Sequence, residues 1–208
     1  MGKTRTVQDE KTMLQKILCT LLILAFGICL GLGSKALDQT AFNELPYVLQ
    51  RIDIINFLGR FAIWIFIAVC ISVFSGSPKR AALNVFVFFA GMVSCYYLYS
   101  ALAAGFFPKS YAMIWFGITV VSPFLAVICW YAKGEGPIAV VISGVIIGIL
   151  FSQALFLFQG VQITYIPEVI VWLASLWVLR RKPKEFAAVI GISVLVAVIW
   201  QLFVPYWG

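Results

Sequence analysis

Apolar residues run along this chain in long, nearly unbroken stretches, separated by short clusters of charge, glycine and proline. Segments such as LLILAFGICLGLG and IAVVISGVIIGILF are continuously apolar and lack the alternation of a barrel strand, so they predict helices. Seven are predicted, at about 13–34, 54–75, 81–105, 111–132, 137–158, 165–180 and 186–204, giving an all-α, polytopic membrane bundle in one domain over 1–208. Start signals support the boundaries: Ser77-Pro78, Ser110, Gly136-Pro137 and Pro167-Glu168 all suit the first turn of a helix. The sixth stretch has about 16 residues, or roughly 24 Å against a hydrocarbon core near 30 Å. It must start in the preceding loop, thin the bilayer or be shielded by neighbours.

Composition narrows the class. Of 208 residues, 63% are hydrophobic and only 11% charged, which excludes a soluble enzyme, a secreted disulfide scaffold and a disordered tail. The absence of histidine removes imidazole metal sites, Ser-His-Asp and Cys-His catalysis and imidazole proton relays. Cys19, Cys29, Cys70, Cys95 and Cys129 sit inside apolar stretches and form no C-x-x-C, so they read as small buried hydrophobes. The two aspartates near spans, Asp38 and Asp53, lie at their edges, and no nucleophile elbow or P-loop is present. The expectation is no enzyme, no cofactor and no metal.

Charge sets the orientation. With the N-terminus cytoplasmic, the inner segments hold Lys3, Arg5, Lys11, Lys16, Lys79, Arg80, Lys133, Arg180, Arg181, Lys182 and Lys184. The outer ones hold only Lys35, Arg51 and Lys109, so eleven against three predicts N-in, C-out. The net charge of +7 is thereby a topogenic signal facing the lipid bilayer, and nucleic-acid binding is not expected. The first stretch lacks a small-residue cleavage site and reads as a retained helix, and Tyr206 and Trp207 are placed at the outer interface.

Small residues predict the packing. Gly27 and Gly31, and Gly144 and Gly148, repeat at four-residue spacing and let helix backbones approach, within the chain or in a homo-oligomer, whereas Gly134 reads as part of a solvated loop. The glycine pairs hint at a repeat of helices 1–3 by 5–7 around a linking fourth, although the following spans do not stay in register. Pro123 predicts a kink whose freed carbonyl Thr119 or Ser122 can satisfy. The long connection from Ser34 to Asp53, containing Asp38 and Glu44, reads as an amphipathic interfacial helix or a lid.

Polar residues within spans supply the candidate substrate-binding set: Arg60, Asn56, Tyr96, Tyr99, Gln153 and Glu168. Asp53, Asn56 and Arg60 share a helix face with Trp64 one turn further in. Arg60 either snorkels, pairs with Asp53 or Glu168, or holds a carboxylate or phosphate. Tyr96, Tyr99 and Ser100 share a face, with Tyr97 pointing elsewhere, and suit a pocket wall or an interfacial belt. Gln153, with Gln159 and Gln162 beyond it, and Glu168, which also suits a helix N-terminus, complete the set. These residues map to the outer half, with Asn84 nearly alone near the inner end, which predicts a polar cavity open to the outside and not a continuous pore.

The run SPKRAALNVFVFFAGMVSCYYLYS, with LGSKALD before it and FFPKSY and CWYAKGEG after it, resembles an uncharacterised family of polytopic proteins from Firmicute bacteria. That resemblance implies the bacterial cytoplasmic membrane but no activity. The chain is also similar, more loosely, to the substrate-binding S-components of energy-coupling-factor transporters, whose outward pocket is capped by the loop after helix 1. Those proteins usually have six helices, and glycine pairs stand here where their A-x-x-x-A motif would lie. Two functions follow as expectations. One is binding or transport of a small polar or anionic solute; the other is a non-transporting membrane-embedded partner or regulatory subunit.

Overall fold

In the computed structural model, which describes residues 5, 7, 12–103, 105, 107–157, 162–163 and 165–203, the chain is an all-α bundle with one two-residue hairpin. The expectations for Gln159, Tyr206 and Trp207 lie outside the described residues, as does the Gln162 side chain. Helix α1 (Met13–Gln39) opens on a capping box in which Thr12 and Gln15 exchange side-chain and backbone hydrogen bonds. It runs to residue 39 instead of 34, so the long connection is reduced to a 3₁₀ turn at Phe42–Glu44 and the short helices α2 (Tyr47–Arg51) and α3 (Ile54–Gly59).

The predicted second span, 54–75, is broken. Asp53 takes a left-handed backbone (φ 51°), α3 stops at Gly59, Arg60 is extended, and α4 (Ala62–Val73) begins beyond it. Trp64 Nε1 reaches back across the break to donate to the Leu58 carbonyl at 2.8 Å, giving an otherwise orphaned helix-end acceptor its partner. After α5 (Pro78–Ala103), α6 (Lys109–Trp130) starts on Pro108, so Ser110 is not its cap. Helix α6 passes through Pro123 because Ser122 Oγ donates to the Thr119 carbonyl at 2.9 Å, the acceptor from which the proline removes a donor. Helix α7 (Pro137–Ala154) ends in β1 (Leu155–Phe156), which pairs antiparallel with β2 (Gln162–Ile163), so the fifth span stops at 154 and not 158. Then follow α8 (Ile166–Val178), shorter than predicted, and α9 (Pro183–Phe203).

Among the described residues, five helices, α1, α5, α6 with its 3₁₀ extension, α7 and α9, are long and apolar enough to cross a membrane; α4 and α8 are apolar but have only 12 and 13 residues. Away from the helix ends, large apolar side chains are exposed, among them Leu21, Leu22, Val120, Phe124, Trp177 and Leu195, the reverse of a water-facing surface. This is a multi-pass membrane protein.

Successive long segments alternate in direction. Thr20 meets Asn84 and Asp38 meets Tyr96, so α1 and α5 are parallel, while Val73 at the end of α4 and Trp130 at the end of α6 both meet Arg5. Two triplets result, α1–α4–α5 and α7–α8–α9, each long–short–long, with α6 between them. In each, the first helix packs on the third through its glycine pair. A Cβ on Gly27 would lie 2.3 Å from the Phe88 carbonyl oxygen, and one on Gly31 2.2 Å from that of Met92. On Gly144 it would meet Ile192 at 2.6 Å, and on Gly148 the Ser193 carbonyl oxygen at 2.7 Å. The two glycines are the buried residues of α1, so that face attaches the helix. The close join of first helix on third is thus common to both triplets, but the short middle helix packs on α5 in the first and on α7 in the second, so the repeat hinted at by the glycines does not extend to it. Gly134, expected in a solvated loop, is buried, and a Cβ there would approach Arg5 Cβ to 3.2 Å.

One end of the bundle holds Arg60; the other gathers arginines onto helix C-termini. Arg5 donates to the carbonyls of Trp130 (2.5 Å) and Val73 (2.7 Å) and stacks on the Trp130 ring. Arg181 donates in the same way to the carbonyls of Ala132 and Gly134, whereas Arg80 ties α5 to the opening turns of α1 through the Lys16 carbonyl and Thr20 Oγ1. At those C-termini the Arg5 and Arg181 guanidiniums satisfy orphan acceptors and the negative end of the helix dipole together.

Candidate functional site

At the Arg60 end, the first triplet and α6 enclose a cavity of about 170 Å³. Helix α1 contributes Gly31, Ser34 and Asp38, the helix break Leu58, Gly59 and Trp64, α5 Met92, Val93, Tyr96 and Tyr97, and α6 Tyr111 and Trp115. Local sequence explains the wall. Tyr111 and Trp115 are one turn apart on α6, and the break at Arg60 lets α4 restart with Trp64 turned inward, where its ring meets Trp115 edge-on at 6.5 Å. Tyr96 and Tyr97 are successive residues about 100° apart on the helix, yet both line the cavity because it spans the face of α5 between α1 and α6. Tyr97 is 3% exposed and packs against Tyr96, Phe107 and Phe116.

The polar atoms divide into a satisfied rim and an unsatisfied floor. On the rim, Lys35 Nζ lies 2.6 Å from Asp38 Oδ2 and 5.3 Å from the centre of the Tyr96 ring, and Tyr96 donates its hydroxyl to the same carboxylate oxygen at 3.2 Å. Deeper in, Ser34 Oγ and the Tyr97 hydroxyl are buried without a hydrogen-bond partner. A buried hydroxyl without a partner costs about 1–3 kcal/mol, so such groups mark places where water or a ligand completes the structure.

The predicted site residues do not converge on one place. Arg60 and Glu168 meet each other: Arg60 Nε donates to Glu168 Oε1, and Arg60 Nη1 lies 3.6 Å from Asp53 Oδ2. The guanidinium sits 3.7 Å from the centre of the Tyr165 ring, and Asn56 braces Asp53 with a 2.9 Å hydrogen bond. This group joins α3 and α4 to α8 beside the cavity, and Arg60 is not in the cavity wall. Glu168 is 1% exposed; its Oε2 and Arg60 Nη2 are buried without partners. Of the tyrosines, Tyr96 lines the cavity and Tyr99 does not, whereas Tyr97, read as pointing elsewhere, does. Gln153 is buried on α7 in the other triplet.

Sequence reasoning missed Ser34, Tyr97, Tyr111 and Trp115. The spacing Ala112, Trp115, Thr119, Ser122, Ala126 and Trp130 marks the inward face of α6 and would have flagged Trp115. The expected concentration of polar groups at one end is also incomplete. A second cavity of about 240 Å³ lies at the opposite end, lined by Lys16, Ser75, Arg80 and Asn84 with apolar neighbours. Asn84 there accepts from Thr20 and donates toward Ser75. Among the described residues no group of three or more His, Cys, Asp or Glu gathers as a metal site, and the five cysteines are free thiols. No protein-family model, curated protein or solved structure matches the chain.

Proposed function

We propose that the chain crosses the bacterial cytoplasmic membrane seven times, with the N-terminus inside, and binds a small solute at its outer face as a carrier or as the binding subunit of one. The observation that carries this reading is the aromatic cavity whose wall contains two buried hydroxyls without partners, Ser34 Oγ and Tyr97 OH. Seven crossings are supported by the alternating directions of α1, α4, α5, α6, α7, α8 and α9, and orientation by the eleven-to-three distribution of cations. Helices α4 and α8, at about 18–20 Å by a rise of 1.5 Å per residue, need cover for their ends. The α1–α5 and α7–α9 pairs and the bonded break at Arg60 supply it.

Two measurements test the reading. In a Cys-free variant, Lys133→Cys is modified only from the cytoplasm and Tyr47→Cys only from outside; the reverse pattern ends the orientation claim. For binding, purified protein titrated with a broad panel of small solutes gives a saturable change in tryptophan fluorescence from Trp64 and Trp115 and a rise in Tm. No response to any solute ends the binding claim.

A second reading, a non-transporting partner or regulatory subunit, is favoured by the Arg60–Glu168 pair, which fastens α4 to α8 and lies outside the cavity wall. Under it, Arg60→Lys and Arg60→Gln alter stability, and no solute shifts Tm in any variant.

A further inference from the structure

The geometry points to a small organic cation, an amine or quaternary ammonium, as the occupant of the aromatic cavity. This inference rests on the binding reading above and names its ligand class. Rings of Trp64, Tyr96, Tyr97, Tyr111 and Trp115 line the cavity, and aromatic faces carry the negative potential that attracts cations. Among the described residues, the one charged residue in that wall is Asp38, an acid. Arg60, the group that would have drawn an anion, is paired with Glu168 outside the wall. Among the described residues, the cavity wall therefore offers an anionic solute no cation, and offers a cation a carboxylate and several aromatic rings.

The protein already makes this arrangement with its own ammonium group. Lys35 Nζ sits on the rim against Asp38 and over the Tyr96 ring, the two partners a ligand ammonium would use. Asp38 is 43% exposed and Lys35 only 12%, so solvent reaches the pair from the carboxylate side, where an incoming cation can compete for Asp38. The ligand's polar tail then meets Ser34 Oγ and the Tyr97 hydroxyl, which have no other partner. Size agrees: a cavity of about 150 Å³ accommodates benzene, so 170 Å³ accommodates a molecule of roughly that size.

The experiment follows tryptophan fluorescence and Tm of the full chain in detergent during titration with choline, tetramethylammonium, butyrate and 3,3-dimethyl-1-butanol, the uncharged isostere of choline. The expected result is saturable binding of both cations, with the isostere about tenfold weaker and butyrate inactive. Asp38→Asn weakens choline about tenfold and leaves the isostere unchanged, whereas Lys35→Gln, by removing the internal competitor, tightens choline. Both substitutions are on the rim, and Tm without ligand verifies folding. If the isostere binds as tightly as choline, or butyrate binds and the cations do not, the cation class is overturned while the binding reading stands. If none of the four binds but another solute of the broad panel does, the cation class again falls alone. If nothing in either set binds, both fall.

Discussion

The two triplets use the same join and fill it differently. In the first, glycines on α1 rest on α5, and the space toward α4 and α6 is packed with rings: Trp64, Phe88, Phe89, Tyr97, Trp115 and Trp130. In the second, glycines on α7 rest on α9, and aliphatic side chains such as Ile146, Ile147, Leu150, Val171 and Val189 fill the core. The cavity lies in the ring-rich first triplet, at the Arg60 end, so one kind of helix join carries two chemically different interiors.

The largest effect is expected at the joint between the triplets. Removing one member of a buried ion pair costs about 3–5 kcal/mol, so Glu168→Ala should lower Tm sharply. The double variant Arg60→Met, Glu168→Leu should recover most of the loss. A double variant as unstable as the single one would show that the joint depends on more than charge pairing.

Next come the glycines. Gly31→Ala and Gly148→Ala should each cost about 1–3 kcal/mol through overpacking. Gly31 should be the worse, because its neighbour is the Met92 backbone, while Gly148 also meets the Val196 side chain, which can turn. Gly191→Ala, with nothing within 4 Å, should be neutral in the same detergent melts.

A smaller effect separates the two cores directly. Both valines are fully buried, but Val93 borders the cavity and Val189 sits in the aliphatic core. Val93→Leu should therefore be almost neutral and Val189→Leu should cost about 1–3 kcal/mol; equal costs would show that the first triplet is as tightly filled as the second. Smallest is Lys35→Gln, about 1 kcal/mol or less for a rim pair.

Features determined by local chemistry were legible in the sequence. The four-residue glycine spacing became close helix contacts, Ser122 completed the helix at Pro123, and Arg60 found the two acids named for it, Asp53 and Glu168. What failed was set by tertiary placement. The segment IINFLGRFAIW carries a continuous helical pattern with only Gly59 as a break signal, so the extended backbone at Arg60 was invisible. Helical periodicity put Tyr97 on a different face from Tyr96, but a cavity running from α1 to α6 takes both. Counting polar residues by depth overlooked the cavity at Arg80, because lysine and arginine at a span's end are read first as orientation signals.

Arg60 and Glu168 occupy comparable places, each at the start of the short middle helix of its triplet, and face each other where the triplets meet. Glu168 arriving before Arg60 would have left a buried carboxylate without a counterion, an intermediate several kcal/mol less stable than its parent, whereas Arg60 arriving first already had Asp53 beside it. A mutational path to this protein therefore places the arginine first or changes both together. Descendants of the same ancestor are expected to carry both charges, neither, or the arginine alone, and a chain with the acid alone should have a base newly placed nearby to answer it.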